Sequence, residues 1–561
     1  MTGRWNTSVA ELLAARVGDH GTALTWTGQD GVVRRVSWDE HVRRSAARAA
    51  WLSAQLPEPG PAEPAEPAGG RPRHVGVLME NIPEFSFLLG AAALGGFTLV
   101  GLNPTRGAAE VVRDARHTDC ALIVTESPFL VMLRDSGIPV VNVDSPDQWP
   151  PRAKPGSRPA ASKIPVIAQD AAERPFMLIL TSGTTSAPKA VICTQGKVAS
   201  QGSTLARQRG LTSDDVLYCA MPMFHSNAVI AAWVPAVATG GTLALRRRFS
   251  ASQFLPDVRR FGATYANYVG KPLAYILATP EQPDDADNPL RQVFGNEAAP
   301  ADVERFAKRF GCAVTDGFGS TEGGISFYRL PTTPPGALGV PVGDVRIVDV
   351  QTGAECGVGQ VGEMVNFAGA GAFEGYYRHR EADEAKLRDG RFWSGDLAYR
   401  DEQGNFFFAG RSGDWIRVGG ENFASGPIAR AVEEWEGVVA AAAYGVPDAV
   451  AGDQVMVAAE SSASSSGAGQ FDPVAFAEYL ESRPEFPELW WPRYVRLVSA
   501  MPRTATNKIV IRDLVAEAWL TSDPVFLRQG RRGPYRPMTD RDRAALTREF
   551  ELHGRTPPGN R

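Results

Sequence analysis

Between Met177 and Val191 an apolar run, Met177 to Leu180, breaks into a loop of small and hydroxyl residues, and the apolar chain resumes just after Lys189. Strand, polar loop, lysine is an arrangement that holds a polyphosphate. Small side chains let backbone N–H groups approach closely. The hydroxyls of Thr181, Ser182, Thr184 and Thr185 add donors around Gly183, and a lysine adds a point charge. The loop lacks the Gly-x-x-x-x-Gly-Lys-Ser/Thr spacing of a Walker loop, because Gly183 is its one glycine. Taken alone, a solvated Ser/Thr turn accounts for it equally well.

The chain around this loop alternates. Short apolar runs at Val75–Met79, Thr98–Leu102, Ala121–Thr125 and Val140–Val143 are separated by helical patterns, which predicts an α/β domain with a mostly parallel sheet. Ahead of it, Ala23–Trp26 and Val32–Val36 flank Asp30-Gly31 as a hairpin. Ser37 with Glu40 reads as a capping box opening an amphipathic helix. A second α/β unit spans about 190 to 320, and a small β-rich unit follows 330. Beyond Arg411 the pattern is a compact α+β segment of roughly 110 residues. The expected division is 1–410, with 56–72 a Pro-rich disordered insertion, then 411–525 and a tail at 526–561.

A chain of 561 residues exceeds one core, so several domains are expected. The net charge of −5 gives no reason to expect nucleic acid. Five scattered cysteines without ligand spacing read as reduced packing residues of a cytoplasmic protein, and no signal peptide precedes them. Phe85–Leu102 is long and uncharged, but its glycines and Pro83 fit a buried helix followed by a buried strand better than a membrane span. Peripheral contact with a membrane stays open. Lysine occurs eight times among 58 basic residues, so the placement of each one carries weight.

Thr181-Ser-Gly-Thr-Thr-Ser-Ala-Pro-Lys189 resembles the signature loop of the adenylate-forming superfamily, with Ser186 where the usual pattern has Gly. Asp316-Gly317-Phe318-Gly319-Ser320-Thr321-Glu322 is similar to the family's adenine and magnesium motif. Met221-Pro-Met-Phe-His225 resembles the segment near the substrate carboxylate. Trp393-Ser-Gly-Asp396 resembles the ribose motif, Gly410-Arg411-Ser-Gly413 the hinge, and Pro502 to Ile509 the terminal lysine motif. The motifs run in order over about residues 20 to 540. Finer details, such as Asn288-Pro-Leu-Arg291 and Gly533-Pro-Tyr535, are similar to the fatty-acid transport protein and very-long-chain acyl-CoA synthetase branch.

The resemblance implies a large N-terminal domain of two parallel-sheet subdomains plus a β-rich subdomain, with a small mobile C-terminal domain. It implies an AMP-forming ligase that uses ATP, Mg²⁺ and CoA on a small-molecule carboxylic acid, most simply a fatty acid. Lys508, Thr321, Glu322 and Lys189 would be catalytic, with Glu322 on the metal. Thr181 to Thr185, Asp316, Phe318, Gly319, Ser320, Asp396 and Arg411 would bind ATP. His225 and Gly295 would face the substrate, Gly419, Gly420 and Glu421 the acceptor thiol, and Gly413 would be the hinge. Tyr265, Tyr268 and Tyr275 are candidates for the acyl pocket wall. A different acid on the same scaffold, such as nitrite used to diazotise an aryl amine, is the alternative.

Overall fold

The helix Pro83–Gly95 is apolar on every side, starts on a proline and stops where Gly96 turns left-handed at φ 61°. Such a helix must be covered all round. It packs on the helix Trp38–Ser53, where Gly90 leaves room for the Ser45 hydroxyl, and the strand Thr98–Gly101 follows it into a sheet. The computed structural model describes residues 5–56, 72–149, 166–181, 189–330, 332–411, 415–418, 421–450, 452–461, 471–483, 486–504, 507–528, 530 and 532–558. Among these no helix is long and apolar enough to cross a membrane. The Pro-rich insertion lies outside the described residues but for its ends.

Three sheets make the larger domain. The first runs Val140–Asn142, Cys120–Thr125, His74–Leu78, Thr98–Gly101, Pro175–Thr181, Lys189–Thr194 and is parallel except for its last pair. That antiparallel pair is the one bridged by the hydroxyl loop, with Thr181 opposite Lys189. The second runs Ala313–Gly317, Gln292–Asn296, Tyr265–Val269, Val216–Cys219, Thr242–Leu245, Thr22–Thr27, Val33–Ser37. The expected N-terminal hairpin is present and adds itself to this distant sheet by pairing parallel to Thr242–Leu245. Ser37 caps the next helix by accepting from the Glu40 amide, but the Glu40 carboxylate pairs with Arg44, so the capping box is half made. The third sheet, from Phe327–Tyr328 to Arg391–Arg400 and Phe406–Arg411, is antiparallel. All five cysteines are buried and free.

The smaller domain carries the hairpin Trp415–Val418 and Glu421–Ala424 and a five-stranded sheet ordered Val438–Pro447, Asp453–Ser461, Tyr494–Val498, Val525–Arg528, Tyr535–Pro537. The expected boundary at 525 is therefore corrected. Val525–Arg528 pairs with Tyr494–Val498, and the helix Asp540–Leu552 returns Phe550 onto Trp519 at 5.9 Å. The described residues of 526–558 belong to this domain, and Leu527, Tyr535, Met538 and Phe550 are buried in it, so the segment is not a tail.

Candidate active site

Three neighbouring parallel strands end together, with Val269, Asn296 and Gly317 in register. Crevices at the carboxyl ends of parallel strands are where open α/β sheets bind ligands. One step back in register stand Tyr268, Gly295 and Asp316. The Tyr268 hydroxyl donates to Asp316 Oδ1 at 2.6 Å, and the Ala298 amide donates to the same oxygen at 3.0 Å. Burial pushes the Asp316 carboxyl up to about 7 despite these donors. Gly295 is buried here, and a Cβ would stand 2.3 Å from the Tyr268 carbonyl oxygen. Its lack of a side chain thus has a packing reason, where the resemblance implied a substrate-facing one.

The turn after Gly317 is fixed from below. Lys197, fully buried in the helix Gln195–Gln208, donates to the carbonyls of Thr321 and Glu322, each at 3.0 Å. The Thr321 hydroxyl lies 3.0 Å from Ser226 Oγ, and Glu322 Oε1 accepts from the Tyr376 hydroxyl at 2.9 Å. Burial alone would raise the Glu322 carboxyl; the nearby Lys386 charge and the hydrogen bonds override it and hold it below the ordinary range. Lys189 reaches the same tyrosine, its Nζ 5.5 Å from the ring centroid. Thr181 Oγ1 donates to the Lys189 carbonyl at 3.3 Å. Ser182, Gly183, Thr184 and Thr185, with Ser186, lie outside the described residues.

Phe318 sets its ring against Phe327 at 5.4 Å and Phe408 at 6.1 Å. Gly319 has open space where a Cβ would be, and Ser320 Oγ accepts from the Gly323 amide at 3.3 Å. Asp396 faces Arg411 across a strand pair, with 3.6 Å between Oδ1 and Nε. Burial pushes the Asp396 carboxyl up to about 6, opposed by the charges of Arg411 and Lys386. Lys386 itself hydrogen-bonds the Ser394 carbonyl.

His225 precedes a short helical turn beside Phe224, with Nε2 buried and unpartnered, and burial pushes its pKa down to about 3. It is therefore neutral at physiological pH. Asn81 clamps the approach to it, donating to the Met221 carbonyl at 2.8 Å and accepting from the Met223 amide at 2.9 Å. From the smaller domain, Lys508 Nζ comes to 2.5 Å from Glu297 Oε1. Glu297 holds φ 72°, a left-handed conformation uncommon without glycine. Tyr265 is core, donating to the Ala231 carbonyl at 2.8 Å, and Tyr275 lies beneath Arg503. Gly413, Gly419 and Gly420 lie outside the described residues, and of Glu421 only the backbone strand is described.

Pairwise contacts link several of these motifs: Lys189 and Glu322 meet at Tyr376, Thr321 meets Ser226 next to His225, and Asp396 lies within electrostatic reach of Arg411, Glu322 and Lys508. Lys197, Lys386, Tyr376, Asn81 and Glu297 join them without being singled out by the sequence. Scarcity of lysine was the one available signal for the first two.

A family model described as AMP-binding enzyme matches residues 15–377. The medium/long-chain-fatty-acid–CoA ligase FadD17 of Mycobacterium marinum is 48% identical over 522 residues, covering 92% of this chain and 98% of that protein. The steroid-22-oyl-CoA synthetase of Rhodococcus jostii is 42% identical, covering 98% of both. Among solved structures, an anthranilate CoA ligase, AuaEII, in complex with anthranoyl-AMP aligns with a TM-score of 0.77 at 20% identity over 92% of this chain and 98% of that one. ATP-bound MatB from Rhodopseudomonas palustris aligns at 0.75 and 23%, over 91% of this chain and 98% of that one. With a model match over most of its length and relatives of this identity across nearly the whole chain, the protein belongs to the AMP-binding enzyme family.

Proposed function

We propose that the protein is an ATP-dependent acid–CoA ligase that forms an acyl-adenylate and then an acyl-CoA thioester. The observation that carries this reading is that Lys508 of the smaller domain pairs with Glu297 and its charge reaches Asp396, which also feels Arg411 and Glu322, while Glu322 and Lys189 share Tyr376. The chemistry needs no protein nucleophile. The substrate carboxylate attacks the α-phosphate of ATP, and pyrophosphate leaves. Catalysis is positioning plus charge stabilisation.

Phe318 and Asp316 would hold the adenine, Asp396 and Arg411 the ribose, Thr321 the α-phosphate, and Lys189 with the 181–185 loop the outgoing phosphates. Lys508 would bridge the carboxylate and α-phosphate where charge develops. His225, neutral and with a free nitrogen, would sit beside the acid. The donor set suits Mg²⁺: Glu322 is a single ionised carboxylate, and this ion is commonly held by one or two carboxylates plus substrate phosphates. Among the described residues no cluster of three or more His, Cys, Asp or Glu side chains competes for it. Bound there, the ion would neutralise phosphate charge. Rotation about Gly413 would then withdraw Lys508 and bring in the 419–421 loop for CoA. ATP and CoA as co-substrates accord with a cytoplasmic location.

The names of the FadD17 relatives favour a medium- or long-chain fatty acid, and favour CoA ligation over nitrite activation. The full-length likeness to a steroid-22-oyl-CoA synthetase supports a second reading, a sterol side-chain acid. The test is AMP release from ATP and Mg²⁺ with fatty acids of graded length, steroid side-chain acids, aryl acids, and nitrite with an aryl amine, each with and without CoA. AMP release that requires an acid and CoA and yields the thioester is expected. AMP release confined to nitrite and amine would overturn the acid assignment.

A further inference from the structure

Lys271 and Glu433 are 162 residues apart and form an ion pair with side chains only 15% and 8% exposed. Lys271 stands at the start of the larger domain's helix Pro272–Leu277, and Glu433 ends the smaller domain's helix Gly426–Glu433. Tyr275, one turn along the first helix, lies under the Arg503 guanidinium at 4.0 Å, and Arg503 is five residues from Lys508. We propose that Lys271 and Glu433 are positioning residues for adenylation: their pair holds the smaller domain in the orientation that presents Lys508 to the cleft. This rests on the ligase reading above.

A buried pair whose partners belong to two bodies exists in one relative orientation only. Such pairs add little net stability, since desolvation offsets attraction, and so act on which arrangement is populated. The surroundings are built for it. Glu433 Oε1 also accepts from the Ala441 amide at 3.1 Å, which fixes the carboxylate within its own domain. Asp302, at the start of the neighbouring helix Pro300–Phe310, adds a second negative charge facing Lys271. Arg430 Nη1, on the same helix as Glu433, donates to the Phe408 carbonyl of the larger domain at 3.0 Å. When the smaller domain turns for the thiol step, both partners separate, so the pair should matter to one half-reaction and not the other.

The test measures two rates with the full-length protein: pyrophosphate release from ATP and dodecanoic acid, and thioester formation from supplied dodecanoyl-AMP and CoA. Lys271→Gln and Glu433→Gln, the latter keeping an acceptor for Ala441, should each slow pyrophosphate release about tenfold, and the double variant should be no slower than the worse single one. Thioester formation should be unchanged or faster. Lys271→Arg should keep pyrophosphate release near wild type, which a merely space-filling role would not predict. Equal losses in both half-reactions, additive single losses, or no loss at all would overturn the proposal. Failure of the wild type to release pyrophosphate with any acid of the panel would instead overturn the ligase reading, before any variant is compared.

Discussion

Replacing Lys197 by Met tests whether the Thr321–Glu322 turn is held from beneath. The ammonium donates two bonds of 3.0 Å to the carbonyls of that turn and is fully buried. A hydrogen bond to a charged group contributes about 1.5–3 kcal/mol, so the substitution removes roughly 3–6 kcal/mol of local tethering. Met fills a similar length and avoids burying an ammonium, which offsets several kcal/mol globally. The two effects act in different places. Global stability should change by no more than about 2 kcal/mol, a Tm shift of a few degrees. The turn carrying Thr321 and Glu322 loses its anchor, and a displacement near 1 Å at reacting groups costs on the order of a hundredfold. The expected result is a drop of about 10² in kcat/KM for ATP-dependent AMP release, equivalent to about 2.7 kcal/mol, with a cooperative melt retained. Activity within threefold of wild type would refute the tether. So would a collapsed melt with lost far-ultraviolet circular dichroism, which would make Lys197 a residue of the fold at large.

Lys508→Ala should abolish most pyrophosphate release yet spare thioester formation from supplied acyl-adenylate; equal loss of both would sink the assignment of this lysine. Asp316 has a folded pKa raised to about 7, so the folded state holds the proton more tightly than the unfolded chain, and this carboxylate's contribution to stability falls as pH rises from 4 to 7. Asp316→Asn should therefore gain Tm on the wild type across that interval, and a gap that stays constant with pH would contradict the raised value. Gly295→Ala forces a Cβ to 2.3 Å from the Tyr268 carbonyl oxygen, and overpacking of this kind destabilises by about 1–3 kcal/mol, read as a lower denaturant midpoint. Phe550→Ala should cost about 3–5 kcal/mol in the smaller domain's unfolding, because Phe550 is 1% exposed against Trp519; an unchanged midpoint would return 526–558 to the status of a tail.

What could be read from the sequence and what could not divide along a physical line. Thr321, Glu322, Asp396, Arg411 and Lys508 sit in short segments whose neighbours in sequence share their task, so each motif carries its own context. The alternation of strand and helix from His74 onward was legible for the same reason, since burial on both faces of a parallel sheet writes itself into local apolar runs. Lys197 acts through a helix that contacts the Thr321 turn from 124 residues away, and a helical lysine reads alike whether it is solvated or buried. Glu297 has no motif of its own; its meaning depends on Lys508 arriving from 211 residues later. The boundary placed at 525 failed on the same ground. Val525–Arg528 is four residues of ordinary β pattern, and only its pairing with Tyr494–Val498 makes it core. Lys271 and Glu433 are the extreme of this series, because neither residue lies in a motif and their meeting depends on how two domains are turned. Long-range polar pairs of this sort govern orientation, and so the features least legible in the sequence are the ones expected to separate the two half-reactions.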